Sequence, residues 1–326
     1  MTGPEPVRVD VHLGPEAIAS ALRDDVRAGL GAPPRELPPK WFYDERGCEL
    51  FDRITRLPEY YPTRREREIL AREAATIADR AGADTLVELG SGTSEKTRLL
   101  LDAMAATGSL RRIVAFDVSE PTIRSATAAL AREYPGTSVH GVVGDFDHHL
   151  DRLPGGGRRM VAFLGSTIGN LRPAERKRFL ADVAAGMEPG DSLLLGTDLV
   201  KSRARLEAAY DDSAGVTAEF NKNVLTVLNR ELGADFDPAQ FAHVARFDED
   251  DEWVDLGLRS RRAQLVTIPD PGLSISLDDG EVIRTEISAK FRRPGVESEL
   301  AGAGLEPAAW WTDARGDFAL SLSFAV

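Results

Sequence analysis

The residues best suited to ligand chemistry lie in a glycine-rich turn, E-L-G-S-G-T, at residues 88–93. Glycine lets a ligand approach the backbone, and a helix that starts after such a turn offers N–H groups without partners. The turn is not the dinucleotide motif G-x-G-x-x-G, because Glu95 occupies the third glycine position, and the motif G-x-x-x-x-G-K-S/T is absent. The pattern indicates a nucleotide-type ligand, with an ordinary glycine turn as the alternative.

Acidic and aromatic residues extend this pattern at the ends of predicted strands. Asp117 ends the second strand, where an acid commonly binds ribose hydroxyls in nucleotide-binding α/β folds. Asp145 ends the third strand and can accept the adenine amino group, while Phe146 covers the ring. Lys96 can meet a ligand carboxylate, although a solvated surface lysine is an equally simple explanation. Acids at strand ends are also common cap or turn residues, so the prediction depends on their combination with the glycine turn.

A parallel sheet would bring these residues together, and the sequence predicts one. Short apolar runs alternate with helices from residue 64 onward, which is typical of a parallel sheet covered by helices on both faces. The predicted strands are Asp84–Leu89, Arg112–Asp117, Val139–Asp145, Arg159–Gly165 and Asp191–Thr197. The predicted helices are Arg64–Ala81, Ser94–Ala106, Ser119–Tyr134 (with Ser119 as N-cap) and Pro173–Ala185.

The alternation stops near Leu199, which indicates a second domain. Ser202–Leu232 predicts helices, and β-like runs follow at 253–259, 263–268 and 273–277. Segments 305–311 and 317–326 predict a hairpin that returns to the first sheet, whereas residues 1–13 resemble a loose tail. We therefore predict one domain from residues 65–199 and 291–326, and a smaller mixed domain from residues 1–64 and 200–290.

Composition excludes several classes of protein. The 326 residues carry 53 Asp+Glu against 40 Lys+Arg, a net charge of −13, which argues against a nucleic-acid partner. A single cysteine, Cys48, which we expect to be buried, rules out a disulfide framework, and the histidines lack metal-ligand spacing, so we expect no metal. No run approaches the ~20 apolar residues of a membrane helix. We expect a cytoplasmic monomer that contacts no membrane.

Four blocks of sequence carry a specific family resemblance. Residues 41–66 contain F-Y-D-E-R-G-C-E-L-F and L-P-E-Y-Y-P-T-R; the others are V-E-L-G-S-G-T-S-E-K-T at 87–97, F-L-G-S-T-I-G-N at 163–170 and I-R-T-E-I-S-A-K-F at 283–291. From about Leu37 to the C-terminus the chain resembles the histidine Nα-methyltransferases of ergothioneine biosynthesis. The E-x-G-x-G turn is similar to the first motif of class I S-adenosylmethionine (SAM)-dependent methyltransferases.

The resemblance implies an α/β fold, with a class I methyltransferase Rossmann-like sheet and a second, smaller mixed α+β domain that binds the substrate. It implies trimethylation of the α-amino group of L-histidine to hercynine, the first step of ergothioneine biosynthesis, with SAM as methyl donor. The implied SAM-binding residues are Gly90, Lys96, Asp117, Asp145 and Phe146. The implied histidine pocket is Tyr60, Gly165, Asn170, Tyr210, Leu256, Glu286 and Ser288, and the implied catalytic residues are Tyr43 and Asn170.

The residue types suit these roles. Methyl transfer to an amine is an in-line displacement, so the protein mainly aligns the reacting atoms and excludes water. The amide of Asn170 can accept from the amino group and donate to the carboxylate, to which Tyr210 can also donate. Glu286 and Ser288 alternate on one strand, so Glu286 can accept an imidazole N–H while Ser288 complements the other nitrogen. Leu256 stands where we expect methionine in close relatives, a change that conserves volume.

Simpler explanations exist for several of these residues. Tyr60 can pack beside Pro62, Tyr210 can belong to an amphipathic helix, and Glu286 can face solvent paired with Lys290. Three other functions stay open: a methyltransferase for another, aromatic amino acid, a dinucleotide-dependent oxidoreductase and a non-catalytic nucleotide-binding regulator. The missing third glycine disfavours the oxidoreductase, and the carboxylate of Glu286 disfavours an indole or phenol pocket. No residue is identified as the catalytic base.

Overall fold

Runs of five to eight residues rich in apolar side chains form most strands of the protein. The structure is a computed structural model, and it describes residues 7–92 and 94–326. The strands are β1 (Arg8–Val11), β2 (Thr85–Leu89), β3 (Arg112–Asp117), β4 (Ser138–Val143), β5 (Arg159–Phe163), β6 (Ser192–Asp198), β7 (Phe241–Asp248), β8 (Trp253–Ser260), β9 (Gln264–Ile268), β10 (Leu273–Leu277), β11 (Val282–Ala289), β12 (Leu305–Thr312) and β13 (Phe318–Ala325).

Helices occupy most of the remaining described residues. They are α1 (Pro15–Leu30), α2 (Glu45–Thr55), α3 (Pro62–Ala81), α4 (Arg98–Ala106), α5 (Glu120–Glu133), α6 (Pro173–Ala185), α7 (Arg203–Tyr210), α8 (Val216–Leu232) and α9 (Arg293–Gly302). Short 3-10 turns lie at Pro39–Phe42, Leu150–Arg152, Thr167–Asn170 and Pro238–Gln240. None of the described helices is long and apolar enough to cross a membrane.

The chain divides into two units. The first contains Met1–Gly14, Arg64–Leu199 and Phe291–Val326, and the second contains Pro15–Thr63 and Val200–Lys290. The sheet of the first unit follows the order β1-β4-β3-β2-β5-β6-β13-β12. Strands β1 to β6 pair in parallel, and β13 and β12 are antiparallel additions, so the predicted parallel sheet and returning hairpin are confirmed.

The order of the sheet determines where a ligand can bind. From β2 the chain moves through β3 to β4 on one side, and then returns to β5 and β6 on the other. Helices that cover successive strands therefore separate at the carboxyl ends of β2 and β5, which leaves a crevice there in folds of this kind. Every residue of β2, β5 and β6 is buried, so polar ligand-binding groups must come from the loops at this edge.

The N-terminal segment differs from its prediction. Arg8–Val11 form a strand paired in parallel with β4, and the Asp10 carboxylate lies 2.9 Å from Nε2 of His140. The expectation of a loose tail is therefore wrong for these residues, and the described residues up to Gly14 belong to the first unit rather than to the smaller domain. The edge of β4 supplies the pairing partner, and the sequence of residues 8–11 alone does not reveal that this edge is available. Residues 1–6 lie outside the described part of the chain.

The second unit combines helices with antiparallel strands. Strands β11, β8 and β7 form one sheet in that order, and β9 pairs with β10 as a hairpin. Helix α8 has buried positions along its whole length, in agreement with the predicted helices between 202 and 232. The core includes Leu22, Val26, Leu30, Leu50, Ile54, Val224, Leu228, Phe241, Leu258 and Ile283. Helices α1 and α9 and strand β7 had not been predicted from the sequence.

The block F-Y-D-E-R-G-C forms a tightly packed helix start. The carboxylate of Asp44 caps α2 by accepting from the Gly47 N–H at 2.8 Å, and it also accepts from Asn223 and Arg230, both at 2.7 Å. A side chain on Gly47 would overlap the carbonyl oxygen of Phe42. These residues therefore serve the architecture of the second unit. Cys48 in the same block is exposed, contrary to expectation, because it lies on the outer side of α2.

We predict that Gly47→Ala destabilises the protein by about 3 kcal/mol, because the added methyl group must displace the backbone at Phe42. Thermal unfolding followed by circular dichroism measures the effect. Gly295→Ala is the matched control, since a Cβ there meets nothing within 4 Å. Equal melting temperatures for the two variants would contradict the packing argument.

Candidate active site

The glycine turn adopts a backbone that favours glycine. Gly90 and Gly92 have φ values of 68° and 48°, a backbone conformation that residues other than glycine rarely adopt. The N–H groups of Gly90 and Ser91 donate to the carbonyl of Phe116 at 2.9 and 3.0 Å, so the turn is fixed against the end of β3. Gly90 also lies against the Phe146 ring, at 3.5 Å from its ideal Cβ position. The turn thus presents backbone rather than side chain at the carboxyl edge.

Asp117 supports the turn from the end of β3. Its carboxylate accepts from the Gly92 N–H at 2.9 Å and from the Ser119 N–H at 3.1 Å. Burial raises the pKa of Asp117, although these backbone N–H groups act in the opposite direction. Ser119 caps α5 as predicted, because its hydroxyl accepts from the Thr122 N–H. Asp117 therefore lies where a ribose-binding acid is predicted, and it also holds the glycine turn.

Buried polar side chains lie around the turn. Within the described residues, the Ser91 hydroxyl is buried and has no hydrogen-bond partner, and the buried side chains of Glu88 and Ser94 interact with each other. Burial raises the pKa of Glu88 to about 7, against the effect of a hydrogen bond from the Thr97 hydroxyl. Buried polar groups are normally satisfied, so the Ser91 hydroxyl is consistent with a polar ligand at the turn. Glu88 was seen in the sequence only as part of the motif, with no role assigned.

Phe146 is held by an aromatic cluster next to Asp145. Its ring stacks on Phe116 at a centroid distance of 5.6 Å and meets the edge of Phe163 at 5.3 Å. The Asp145 carboxylate accepts from the backbone N–H of His148 at 2.9 Å and lies 3.0 Å from its Nδ1. The pair therefore has a fixed position after β4, as an aromatic wall beside a carboxylate.

Glu66 organises the region between the turn and β5. It is fully buried, forms an ion pair with Lys96 and accepts from the Gly165 N–H at 2.7 Å. A side chain on Gly196 would overlap Oε1 of Glu66, so β6 carries glycine where the carboxylate passes. Lys96, predicted to meet a ligand carboxylate, is thus positioned by Glu66. The sequence could not reveal Glu66, because in R-R-E-R-E it resembles a solvated helix residue.

The loop after β5 brings Asn170 to the same edge. Gly165 and Ser166 have consecutive positive φ values of 79° and 59°. The Ser166 hydroxyl holds this strained shape by accepting from the Asp198 N–H at 2.9 Å. A 3-10 turn, Thr167–Asn170, follows and leaves Asn170 partly exposed. At the carboxyl ends of β2 to β5, the first unit therefore carries Asp117 as the last residue of β3 and, on the loops, Gly90, Lys96, Asp145, Phe146, Gly165 and Asn170.

The second unit contains a separate buried polar group. The Tyr210 hydroxyl, at the end of α7, lies 2.7 Å from the hydroxyl of Ser288 on β11. Nζ of Lys290 donates to both hydroxyl oxygens at 2.8 Å. The Tyr60 ring meets that of Tyr210 edge-on at 6.2 Å. These side chains form one buried group, whereas the sequence suggests Lys290 only as a surface partner of Glu286.

Leu256 and Glu286 are neighbours across strands β8 and β11. They pair directly, next to a β-bulge between Arg284 and Glu286, and Leu256 is buried. The register has no irregularity between Glu286 and Ser288, so these two side chains share a face. Glu286 is partly buried and thus not a simple solvent-facing residue. The arrangement places an acceptor, a hydroxyl and an apolar wall close together.

Tyr43 belongs to a different part of the second unit. Its ring meets Phe51 and Phe220 edge-on at 5.7 and 5.5 Å, and 37% of the residue is exposed. Phe51 in turn contacts Tyr60 edge-on at 6.3 Å. An aromatic cluster therefore connects Tyr43 with Tyr60.

Comparison with known proteins decides the family. The profile described as "Histidine-specific methyltransferase, SAM-dependent" matches residues 22–325. The chain belongs to this family. It is 58% identical to the histidine N-alpha-methyltransferase of Mycolicibacterium smegmatis over 96% of this chain and 97% of that protein. The protein of that name from Mycobacterium tuberculosis is 56% identical over 97% of this chain and 99% of its own length.

A more distant relative is also informative. Ergothioneine biosynthesis protein 1 of Neurospora crassa is 32% identical over 86% of this chain, and the match covers 32% of that protein. The resemblance predicted from the four sequence blocks is confirmed, as is the assignment to SAM-dependent methyltransferases with a Rossmann-like sheet. The oxidoreductase and the regulator are thereby set aside. The roles of individual site residues and the absence of a metal stay predictions.

The raised pKa of Glu88 predicts a pH-dependent stability of this SAM-dependent methyltransferase. The folded protein favours the protonated carboxyl, so its contribution is complete below pH 4.5 and is lost as the pH rises to about 7. The loss amounts to about 3 kcal/mol at 1.4 kcal/mol per pKa unit. Glu88→Gln should remove this loss, as measured by urea unfolding at pH 5 and pH 8 without ligands.

Glu95→Gln is the control for this measurement, because the neighbouring Glu95 side chain is 71% exposed. It should show the same difference between the two pH values as the unsubstituted protein. An equally large difference in Glu88→Gln would mean that Glu88 is not the group responsible.

Proposed function

We propose that this protein transfers three methyl groups from SAM to the α-amino nitrogen of L-histidine and so makes hercynine, the first step of ergothioneine biosynthesis. Family membership over residues 22–325 supports the reaction class. The observation that carries the substrate is the polar group of Tyr210, Ser288 and Glu286 beside the apolar wall of Leu256. An imidazole has both polar ring nitrogens and apolar ring faces, and this set of side chains suits both.

The carboxyl edge of the first unit fits SAM. Backbone at Gly90, the carboxylates of Asp117 and Asp145, the Phe146 ring and the Lys96 ammonium would hold its methionine, ribose and adenine groups. The buried Ser91 hydroxyl, which has no partner among the described residues, supports this assignment. When bound, SAM supplies an electrophilic methyl group on a sulfonium.

The protein's side chains bind the histidine, orient it and remove water from around it. In this proposal Glu286 accepts an imidazole N–H, and Ser288 and Tyr210 provide hydroxyls. Tyr60 packs against Tyr210 and so limits the room around it. Fixing both reactants before reaction removes a large entropic part of the barrier, which is the main contribution available when no proton is moved in the transition state.

The amino group must be neutral at each transfer. An ammonium has no lone pair, so its proton must leave before the displacement. We assign no side chain as a base; water takes the proton in this proposal. Tyr43 is partly exposed, which suits contact with solvent. A monomeric state and a cytoplasmic location stay predictions, which size-exclusion chromatography and cell fractionation can check.

A substrate screen tests the proposed function. Purified protein is incubated with SAM and each amino acid separately, and the products are weighed by mass spectrometry. L-Histidine should gain 1, 2 and finally 3 methyl groups, at about 14 Da each, whereas tryptophan, tyrosine and phenylalanine should stay largely unmodified, because they leave Glu286 or Ser288 unpaired. Methylation of another amino acid without methylation of histidine would refute the substrate assignment.

Glu286→Ala should raise the KM for L-histidine by roughly tenfold to a hundredfold, since a hydrogen bond to a charged acceptor is lost. Calorimetry should show unchanged SAM binding. Glu249→Ala, whose side chain is 67% exposed in the same unit, is the control and should behave like the unsubstituted enzyme. Unchanged histidine affinity in Glu286→Ala would remove Glu286 from the pocket.

A further inference from the structure

The imidazole of His243 lies next to the end of α7, against the backbone of the candidate pocket residue Tyr210. His243 belongs to β7 and is partly buried, and its Nε2 lies 2.8 Å from the Tyr210 carbonyl oxygen. Its Nδ1 lies 2.8 Å from Nδ2 of Asn221 on α8, which also donates to the Gly257 carbonyl at 3.1 Å. Only 1% of Asn221 is exposed. Neither His243 nor Asn221 has a part in the proposed mechanism.

The two carbonyl oxygens determine where the hydrogens of this group lie. A carbonyl can only accept, so Nδ2 of Asn221 gives one hydrogen to Gly257, and Nε2 of His243 carries a hydrogen for Tyr210. The second hydrogen of the Asn221 amide then points at Nδ1 of His243, which must offer a lone pair. The reversed amide would set its oxygen against the Gly257 carbonyl. His243 is therefore neutral, in agreement with the lowering of its pKa by burial.

The bond from His243 holds the end of a short helix. Helix α7 has eight residues and ends at Tyr210, and carbonyl groups in the last turn of a helix find no partner inside it. A helix of this length is marginal by itself, so contacts with other elements must hold its end. The Glu207 carboxylate adds a second contact between α7 and β7 by accepting from the Phe247 N–H at 3.1 Å. Strand β7 therefore supports the helix from which the Tyr210 hydroxyl reaches Ser288.

We propose that His243, with its tautomer set by Asn221, is a positioning residue that holds the Tyr210 hydroxyl at the histidine pocket. The inference deepens the proposed function and rests on it. Because the Tyr210 ring is rigid, a bond that fixes its backbone also limits where its hydroxyl can lie. The same Asn221 amide holds the backbone of β8 at Gly257, the residue that follows Leu256. One chain of hydrogen bonds thus connects the Tyr210 side of the pocket with its apolar wall.

Two substitutions of His243 separate its two hydrogen bonds. In His243→Gln the amide nitrogen can take the place of Nε2 and donate to the Tyr210 carbonyl, so KM for L-histidine should stay within about threefold. In His243→Asn the shorter side chain replaces only Nδ1 and cannot reach that carbonyl, so KM should rise roughly tenfold. The KM for SAM should stay unchanged in both variants. Equal KM values for histidine in the two folded variants would overturn the proposal.

A merely structural role of His243 predicts a different result. Partial unfolding removes active molecules, which lowers the apparent kcat and leaves the KM of the remaining enzyme unchanged. A raised KM for histidine at constant KM for SAM therefore supports positioning, whereas a lowered kcat alone contradicts it. Arg246→Gln is the matched control, because Arg246 is exposed on the same strand, and it should behave like the unsubstituted enzyme.

A double-mutant cycle determines whether His243 acts through the Tyr210 hydroxyl. Tyr210→Phe removes that hydroxyl, so adding His243→Asn to this variant should change KM for histidine by less than about threefold. If the two residues act independently, their effects on KM multiply, and that result would refute the proposal.

NMR spectra of the ring nitrogens in isotopically labelled, unsubstituted enzyme cover the case in which the variants do not fold. At neutral pH, His243 should be the neutral tautomer with its hydrogen on Nε2. A hydrogen on Nδ1 would break the bond from Asn221 and overturn the proposal. Failure of the proposed function looks different, because the unsubstituted enzyme would then make no hercynine whatever the state of His243, and the inference would fall with it.

Discussion

A carboxylate that is shielded from water must be compensated by nearby groups, and Glu66 imposes this constraint on the first unit. Lys96 supplies a charge, and the Gly165 N–H supplies a hydrogen bond. Because these partners come from two different loops, one side chain on α3 fixes both. Gly196 on β6 leaves the necessary space. The carboxyl edge of the sheet therefore has a defined geometry before any ligand binds, as an in-line transfer demands.

The same edge contains strained backbone and a buried polar group without a hydrogen-bond partner in the described structure. Gly165 and Ser166 keep consecutive left-handed conformations, and the buried Ser91 hydroxyl has no partner in the described structure. Backbone strain is costly, and here it lies in a loop next to strands whose residues are all buried. The strands provide stability, and the strained loop is the part suited to binding.

The second unit meets the constraint of buried charge in another way. The buried ammonium of Lys290 donates to the hydroxyls of Tyr210 and Ser288 and lies over the Tyr210 ring. The antiparallel register places Glu286 on the face of Ser288 and opposite Leu256. Donor, acceptor and apolar wall thus arise from one strand pair and the end of α7. The signature block around Asp44 and Gly47, in contrast, builds the helix start that carries the aromatic cluster.

The sequence by itself determined the parallel sheet, the glycine turn with Asp117 and Asp145, the returning hairpin and the family, because periodicity and motifs are local properties of the chain. Tertiary structure decided the rest. Arg8–Val11 form a strand because the edge of β4 is available for pairing. Cys48 is exposed because it lies on the outer side of α2. Glu66 and Lys290 look like surface charges in sequence, and their burial depends on partners as far as 99 and 80 positions away. Charge compensation at such distances along the chain leaves no local pattern.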